Sequence, residues 1–176
     1  MAATATDVGG SITVSGTVNT TRAGTLATAS SLVNIAEILT LAYGSSTGQE
    51  NEVFSSRRTL AGGANETLDL AGVLTNDYGQ TITFAKIKAI MIANRSDRKS
   101  SPTDASMTIG NATAPFIGPF DDGTATVTLE AGDVFFCTCR GAGWTVTGTT
   151  ADGLKIVNND GTDGLEYDIV IIGTST

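Results

Sequence analysis

The chain has 176 residues, with 10 lysines and arginines against 18 aspartates and glutamates, no histidine, and a formal net charge of −8. That length supports one domain, or one domain with an arm, and folding at this size buries roughly 70% of the unfolded chain's surface. A strongly negative surface repels phosphate backbones and anionic lipid, so neither nucleic acid nor membrane is an expected partner, and the missing histidine removes the usual acid/base group and metal ligand.

Residues 1–48 are expected as an N-terminal arm or extension, of which 1–30 are poor in charge and rich in Ala, Thr, Gly and Ser. They begin MAATATDVGG, without the basic start and apolar run of a secretory signal, so synthesis and folding in a cytosol are expected. Residues 11–18 (SITVSGTV) alternate as a strand does; the rest of 1–30 reads as an arm that needs a surface to lie on. In residues 31–43 (SLVNIAEILTLAY), Leu32, Ile35, Ala36, Leu39 and Tyr43 follow helical spacing between a serine and Gly44. Ile35, Leu39, Leu41 and Tyr43 also fit one face of a strand, with Glu37 interrupting it; the balance tilts towards one short helix. The following GSSTGQEN is a loop that lacks the Lys-Ser/Thr pair of a nucleotide-phosphate loop.

From residue 49 to 176 the pattern is β. NEVFSSRRTL, ETLDL, TITFAKIKAIMIANR, SMTIG, TATVTLE, DVFFCTCR, LKIVNN and LEYDIVIIG read as strands, separated by turn signals such as GGAN, NDYGQ, DDG, EAGD and NNDGTDG. Eight strands without a βαβ rhythm predict an all-β, antiparallel two-sheet sandwich, most economically a jelly roll. An immunoglobulin-type sandwich is the runner-up, but its Cys…Trp…Cys spacing is absent. The last strand is apolar on both faces near its end, which predicts a central position or a face that meets another chain. In FAKIKAIMI, Lys86 and Lys88 fall on one side, opposite Ile87, Ala89 and Met91, which predicts a half-exposed strand. The longest apolar run, near residues 88–93, is far too short for a membrane span.

Few residues suggest chemistry. Cys137 and Cys139 are the only cysteines, and on one strand face their β-carbons would lie about 7 Å apart, against about 4 Å in a disulfide. Two thiols without an imidazole complete no structural zinc site, so they are expected as core residues. Asp121, Asp122, Asp152, Asp160 and Asp163 sit in turn signals, where aspartate serves the backbone. NNDGTDG lacks the ligand ladder of a calcium loop. No catalytic, cofactor-binding or metal-ligating residue is expected.

Arg57 and Arg58 are more informative. Alternation puts Arg58 with Phe54 and Leu60, and Arg57 with Val53, so one guanidinium meets an apolar face or its rim. It needs a carboxylate, carbonyls or a subunit contact there; an ion pair within the chain is the first expectation and an interface the second. A second basic group, Arg95–Ser96–Asp97–Arg98–Lys99, reads as a loop. Trp144, beside Asn158, Asn159 and Asp160, is the one set that could bind glycan. Candidate interface residues are therefore Arg57, Arg58 and Trp144.

The run SSRRTLAGGANETLDLAGVLTNDYGQTITFAKIKAIMIANRS (55–96), FIGPF (116–120) and TGTTADGLKIVNNDGTDGLEYDIVIIGTS (147–175) resemble a family of small structural proteins of tailed bacteriophages. The most specific pieces are Arg58-Thr59-Leu60-Ala61, Leu68-Asp69-Leu70-Ala71-Gly72 and the closing Tyr167-Asp168-Ile169-Val170-Ile171-Ile172-Gly173. Where members tend to carry an acidic residue ahead of Arg-Thr-Leu, this chain has Arg57, which puts shared ion pairing there in question. The resemblance implies a virion component, a capsid decoration (cement) or minor capsid protein. Its implied partners are the major capsid protein of the same phage and other copies of itself, with a trimer as the working order. It implies a place on the capsid surface after assembly in the host cytoplasm. The alternative is a tail or baseplate module that recognises host glycan.

Overall fold

A computed structural model describes residues 10–23, 28–76, 78–96 and 105–175. The start of the arm and Asp97, Arg98 and Lys99 of the second basic group lie outside these residues. Among the described residues no helix is long and apolar enough to cross a membrane.

Strand β1 (Gly10–Ala23) runs antiparallel to β2 (Thr28–Tyr43), from Gly10 opposite Leu41 to Ala23 opposite Thr28. Residues 31–43 are therefore strand, not the short helix towards which their spacing tilted. Pairing with β1 uses the strand-face alternation that the same residues also carry, and tertiary pairing overrides a weak helical pattern. The short β3 (Gln49–Glu50) lies parallel to the end of β2.

The body follows as β4 (Glu52–Leu60), β5 (Asn65–Asp69), β6 (Leu74–Thr75), β7 (Thr81–Ile82), β8 (Lys86–Asn94) and β9 (Met107–Gly110). A single 3-10 turn at Gly118–Phe120 precedes β10 (Thr126–Leu129), β11 (Val134–Thr138), β12 (Trp144–Thr145), β13 (Gly153–Asn158) and β14 (Leu165–Thr174). All eight expected strands form, TITFAKIKAIMIANR dividing into β7 and β8. One sheet has the order β4-β14-β8-β11, with β12 following β11 along the same edge of β8; the other has the order β5-β13-β9-β10. Every pairing in both is antiparallel.

The sheets enclose one core. Phe54, Ile90, Ile92, Ile169 and Ile171 of the first meet Leu68, Leu154, Ile156, Ile109 and Met107 of the second. Each such side chain contributes about 1.5–3 kcal/mol by leaving water. The last strand is central, as its two apolar faces predict, lying between β4 and β8. Two buried asparagines clasp the loops at one end. Asn94 Nδ2 donates to the carbonyls of Ala105 (2.7 Å) and Leu129 (3.3 Å). Asn158 Nδ2 donates to Ala61 (3.0 Å) and Asp163 (2.8 Å). The turn aspartates act on the backbone: Asp160 Oδ1 accepts from the N–H groups of Thr162 and Asp163, and Asp122 Oδ1 accepts from Thr124.

Two further sequence expectations are corrected. Lys88 is buried at 1% exposure rather than on a solvated face with Lys86. The register between β14 and β8 shifts between Ile172 and Gly173, so Ile172 faces Ala89 and Gly173 faces Ile87 while Lys88 is passed over. A bulge breaks the alternation on which the expectation rested. Gly173 permits it, because a β-carbon there would run into the Lys86 carbonyl. Second, Cys137 and Cys139 are free but half-buried, not core. β11 is an edge strand ending at Thr138; Cys137 shares the core face opposite Ile90, and Cys139 lies past the end, its N–H donating to the Lys88 carbonyl at 2.7 Å.

Candidate interaction surface

The outer faces of the two sheets differ. On the second sheet the outward positions in register are polar or mixed: Thr67 beside Lys155, and Val157, Thr108 and Thr128 in a row. That is the ordinary solvated face of an antiparallel sheet. On the first sheet Val53, Ile172, Ala89 and Thr138 form one row. Ser55, Val170, Met91 and Phe136 form the next, and Arg57, Asp168, Ala93 and Val134 the third. Its outer face is thus largely apolar, and Val134 is 54% exposed. A contiguous apolar band on an outer face is a candidate contact surface.

The arm covers one end of this band. Leu41 of β2 is 2% exposed and packs on Ala89 and Ile172, with Leu39, Val53 and Val170 around it. Beyond that root Leu32, Val33 and Ile38 are all at least half exposed. Leu32 and Val33 are consecutive, so both faces of the ribbon present apolar side chains.

A charged cluster bounds the other end. Arg57 Nε and Nη2 donate to Asp168 Oδ1 (2.7 Å) and Oδ2 (3.0 Å), and Arg95 Nε donates to Oδ2 (2.7 Å). Arg57 also lies 3.7 Å from Glu166. The Arg57 hydrogen bond, joined by Arg95, holds Asp168 at about 2 against a smaller desolvation cost. Ser55, Arg57, Met91, Asp168 and Val170 line an open depression of about 360 Å³ where charge meets the apolar band.

Arg58 occupies a different place. It faces inward between the edges of β4 and β5, in a cleft of about 370 Å³ shared with Glu66, Asp69 and Asn76. Its Nε donates to Glu66 Oε2 at 2.9 Å, and Tyr167, fully buried, donates its hydroxyl to Oε1 at 2.7 Å. Burial raises the Glu66 carboxyl, but the Arg58 and Tyr167 hydrogen bonds outweigh it and hold the group below its ordinary range. Burial, then Glu66, pushes the Tyr167 hydroxyl upwards. Both carboxylate oxygens are engaged, so Glu66 is a tie between sheets and a poor proton acceptor. Both arginines thus have the intrachain carboxylate expected first. Sequence reasoning did not find Glu66, although the signal was present: Glu66, Leu68 and Leu70 alternate onto one face, as Arg58 does with Phe54 and Leu60.

Trp144 is half-buried against the core, in register with Ile87 at the start of β8. Asn158 is opposite Met107, and its loop joins the far end of β8 through Ala105, to which both Asp160 and Asn94 bond. The span of β8 separates the two places by about 20 Å at strand rise. The fold does not bring the glycan set together, and its amides already hold the backbone and Thr108. Among the described residues no group of three or more Cys, Asp or Glu is placed to hold a metal ion. Comparison with protein-family models, curated proteins and solved structures gives no match.

Proposed function

We propose that this chain is a structural component of a tailed-bacteriophage virion. In this reading it is a non-enzymatic capsid decoration (cement) or minor capsid protein that works as a homo-oligomer against the major capsid protein. The sequence resemblance over 55–96, 116–120 and 147–175 motivates it. The strand pairing supports the jelly-roll form. With β4, β5, β8, β9, β10, β11, β13 and β14 numbered one to eight, first pairs with eighth, second with seventh, third with sixth and fourth with fifth. A long hairpin rolled over itself gives that pattern.

The ribbon is the observation that carries the adhesive role. A two-stranded ribbon is marginal in water, and this one exposes Leu32, Val33 and Ile38 on its two faces. Such a segment gains by lying on another surface, and cement proteins act through buried area and exchanged segments rather than a pocket. Deleting residues 1–30 is expected to abolish capsid occupancy while the sandwich stays folded, since its core lies within 54–171. Full occupancy by the truncated protein would contradict the reading.

A further inference from the structure

The loop at residues 44–48 and the lysines of β8 meet at the rim of the first sheet. Ser45, Ser46, Thr47, Lys86, Lys88 and Ala142 line a depression of about 380 Å³. In sequence, the GSSTG loop has no lysine behind it; the fold brings it two from a strand later in the chain. Three hydroxyl-bearing residues of the loop and two lysines of the strand line it, and the lining residues include no Asp or Glu.

Lys88 is the unusual member. One of its three protons goes to the Gly141 carbonyl at 2.6 Å. The ion pairs of Arg57, Arg58 and Arg95 with Asp168, Glu166 and Glu66 include neither Lys86 nor Lys88. Burial, and then the charge of Lys86 beside it, makes Lys88 a weaker base than usual. A buried cation is costly to desolvate, and the hydrogen bond that Lys88 makes goes to a backbone carbonyl. Gly143 (φ +77°) closes over the pair: a β-carbon there would crowd the Lys88 side chain and the Ile87 carbonyl. The stem of Lys88 is thereby held in place. An oxyanion in the depression would bring negative charge to the two lysines and accept from the hydroxyls and ammoniums together.

We propose that this depression binds a small tetrahedral oxyanion, inorganic phosphate or sulfate, between the two lysines and the hydroxyls of Ser45, Ser46 and Thr47. The site is independent of the virion reading. The test is a ¹H–¹⁵N titration of the full chain with inorganic phosphate at constant ionic strength, with chloride as control and sulfate in a parallel series. Saturable shifts confined to residues 44–48, 86–88 and 141–143 are expected, with sulfate reproducing them. Lys86→Met should weaken binding at least tenfold and Lys88→Met should abolish it. Should Lys88→Met fail to fold, Lys86→Met, at a half-exposed position, decides alone. Shifts that stay linear with concentration, meaning an adventitious ion only, or unchanged affinity in Lys86→Met, would overturn the assignment.

Discussion

Tyr167 and Glu66 stand on different sheets and share one hydrogen bond, the tyrosine hydroxyl donating to Glu66 Oε1 at 2.7 Å. Arg58 fills the other oxygen from beside Tyr167 in the register of β4 and β14, so one carboxylate of the second sheet is held by two residues of the first. Tyr167→Phe should lower the unfolding free energy by about 1–2 kcal/mol, the cost of leaving one acceptor unfilled. Glu66→Ala should cost more, about 2–4 kcal/mol, because it strands both the guanidinium and the hydroxyl. Urea denaturation of the two single variants and the double variant measures the coupling; strictly additive losses would contradict a shared tie.

Acid should weaken the fold over a narrow window. Asp160, held by the N–H groups of Asp163 and Thr162, and Asp168, held chiefly by Arg57, both lie at about 2 against an ordinary 3.8. A folded pKa below the unfolded one gives stability that is present above the unfolded value and lost as pH falls through the folded value. Glu66 acts in the same sense, and Glu52, raised by burial, opposes it. Stability measured by denaturant titration should therefore fall between about pH 4 and pH 2. Asp168→Asn should flatten part of that fall, and a profile level from pH 5 to pH 2 would contradict the assignment.

Thr149 is exposed with φ of +68° in the turn before β13. A β-branched residue in that region is strained. Thr149→Gly should raise stability by about 0.5–1 kcal/mol, part of the relief being offset by the freedom glycine adds to the unfolded chain. Thermal denaturation checks this; a lowered melting temperature would show that the threonine makes a contact worth more than its strain.

Leu41 anchors the ribbon to the sandwich. Leu41→Ala should cost about 2–3 kcal/mol, the lower range for a buried leucine, since the site lies at the edge of a small cluster. It should also speed proteolytic cleavage within β1 and β2 while leaving the sandwich intact. Unchanged cleavage would mean that the root does not hold the arm.

Much of the fold was legible because alternation is a strong signal where one face is buried. Phe54, Arg58 and Leu60, or Tyr167, Ile169 and Ile171, declare their faces without help. Residues 31–43 did not, because their apolar spacing satisfies both periods and the deciding partner, β1, lies elsewhere in the chain. Lys88 was misplaced because a bulge is invisible to a period-two count. The charged clusters were half legible. Arg57 and Arg58 announced a need for partners, but only pairing register could show that Asp168 meets one and that Glu66, on the opposing sheet, meets the other. The apolar outer face was foreshadowed by the two-sided last strand. That Met91, Phe136 and Val134 extend it depends on which strands became neighbours.

The proposed adhesive role in a virion is tested most directly by a side-chain-resolution reconstruction of a purified particle. The account predicts this sandwich repeated over the head lattice, with the ribbon and the band of Met91, Val170 and Phe136 buried against neighbouring chains. Particles lacking this polypeptide, or copies held with both ribbon and band open to water, would contradict it.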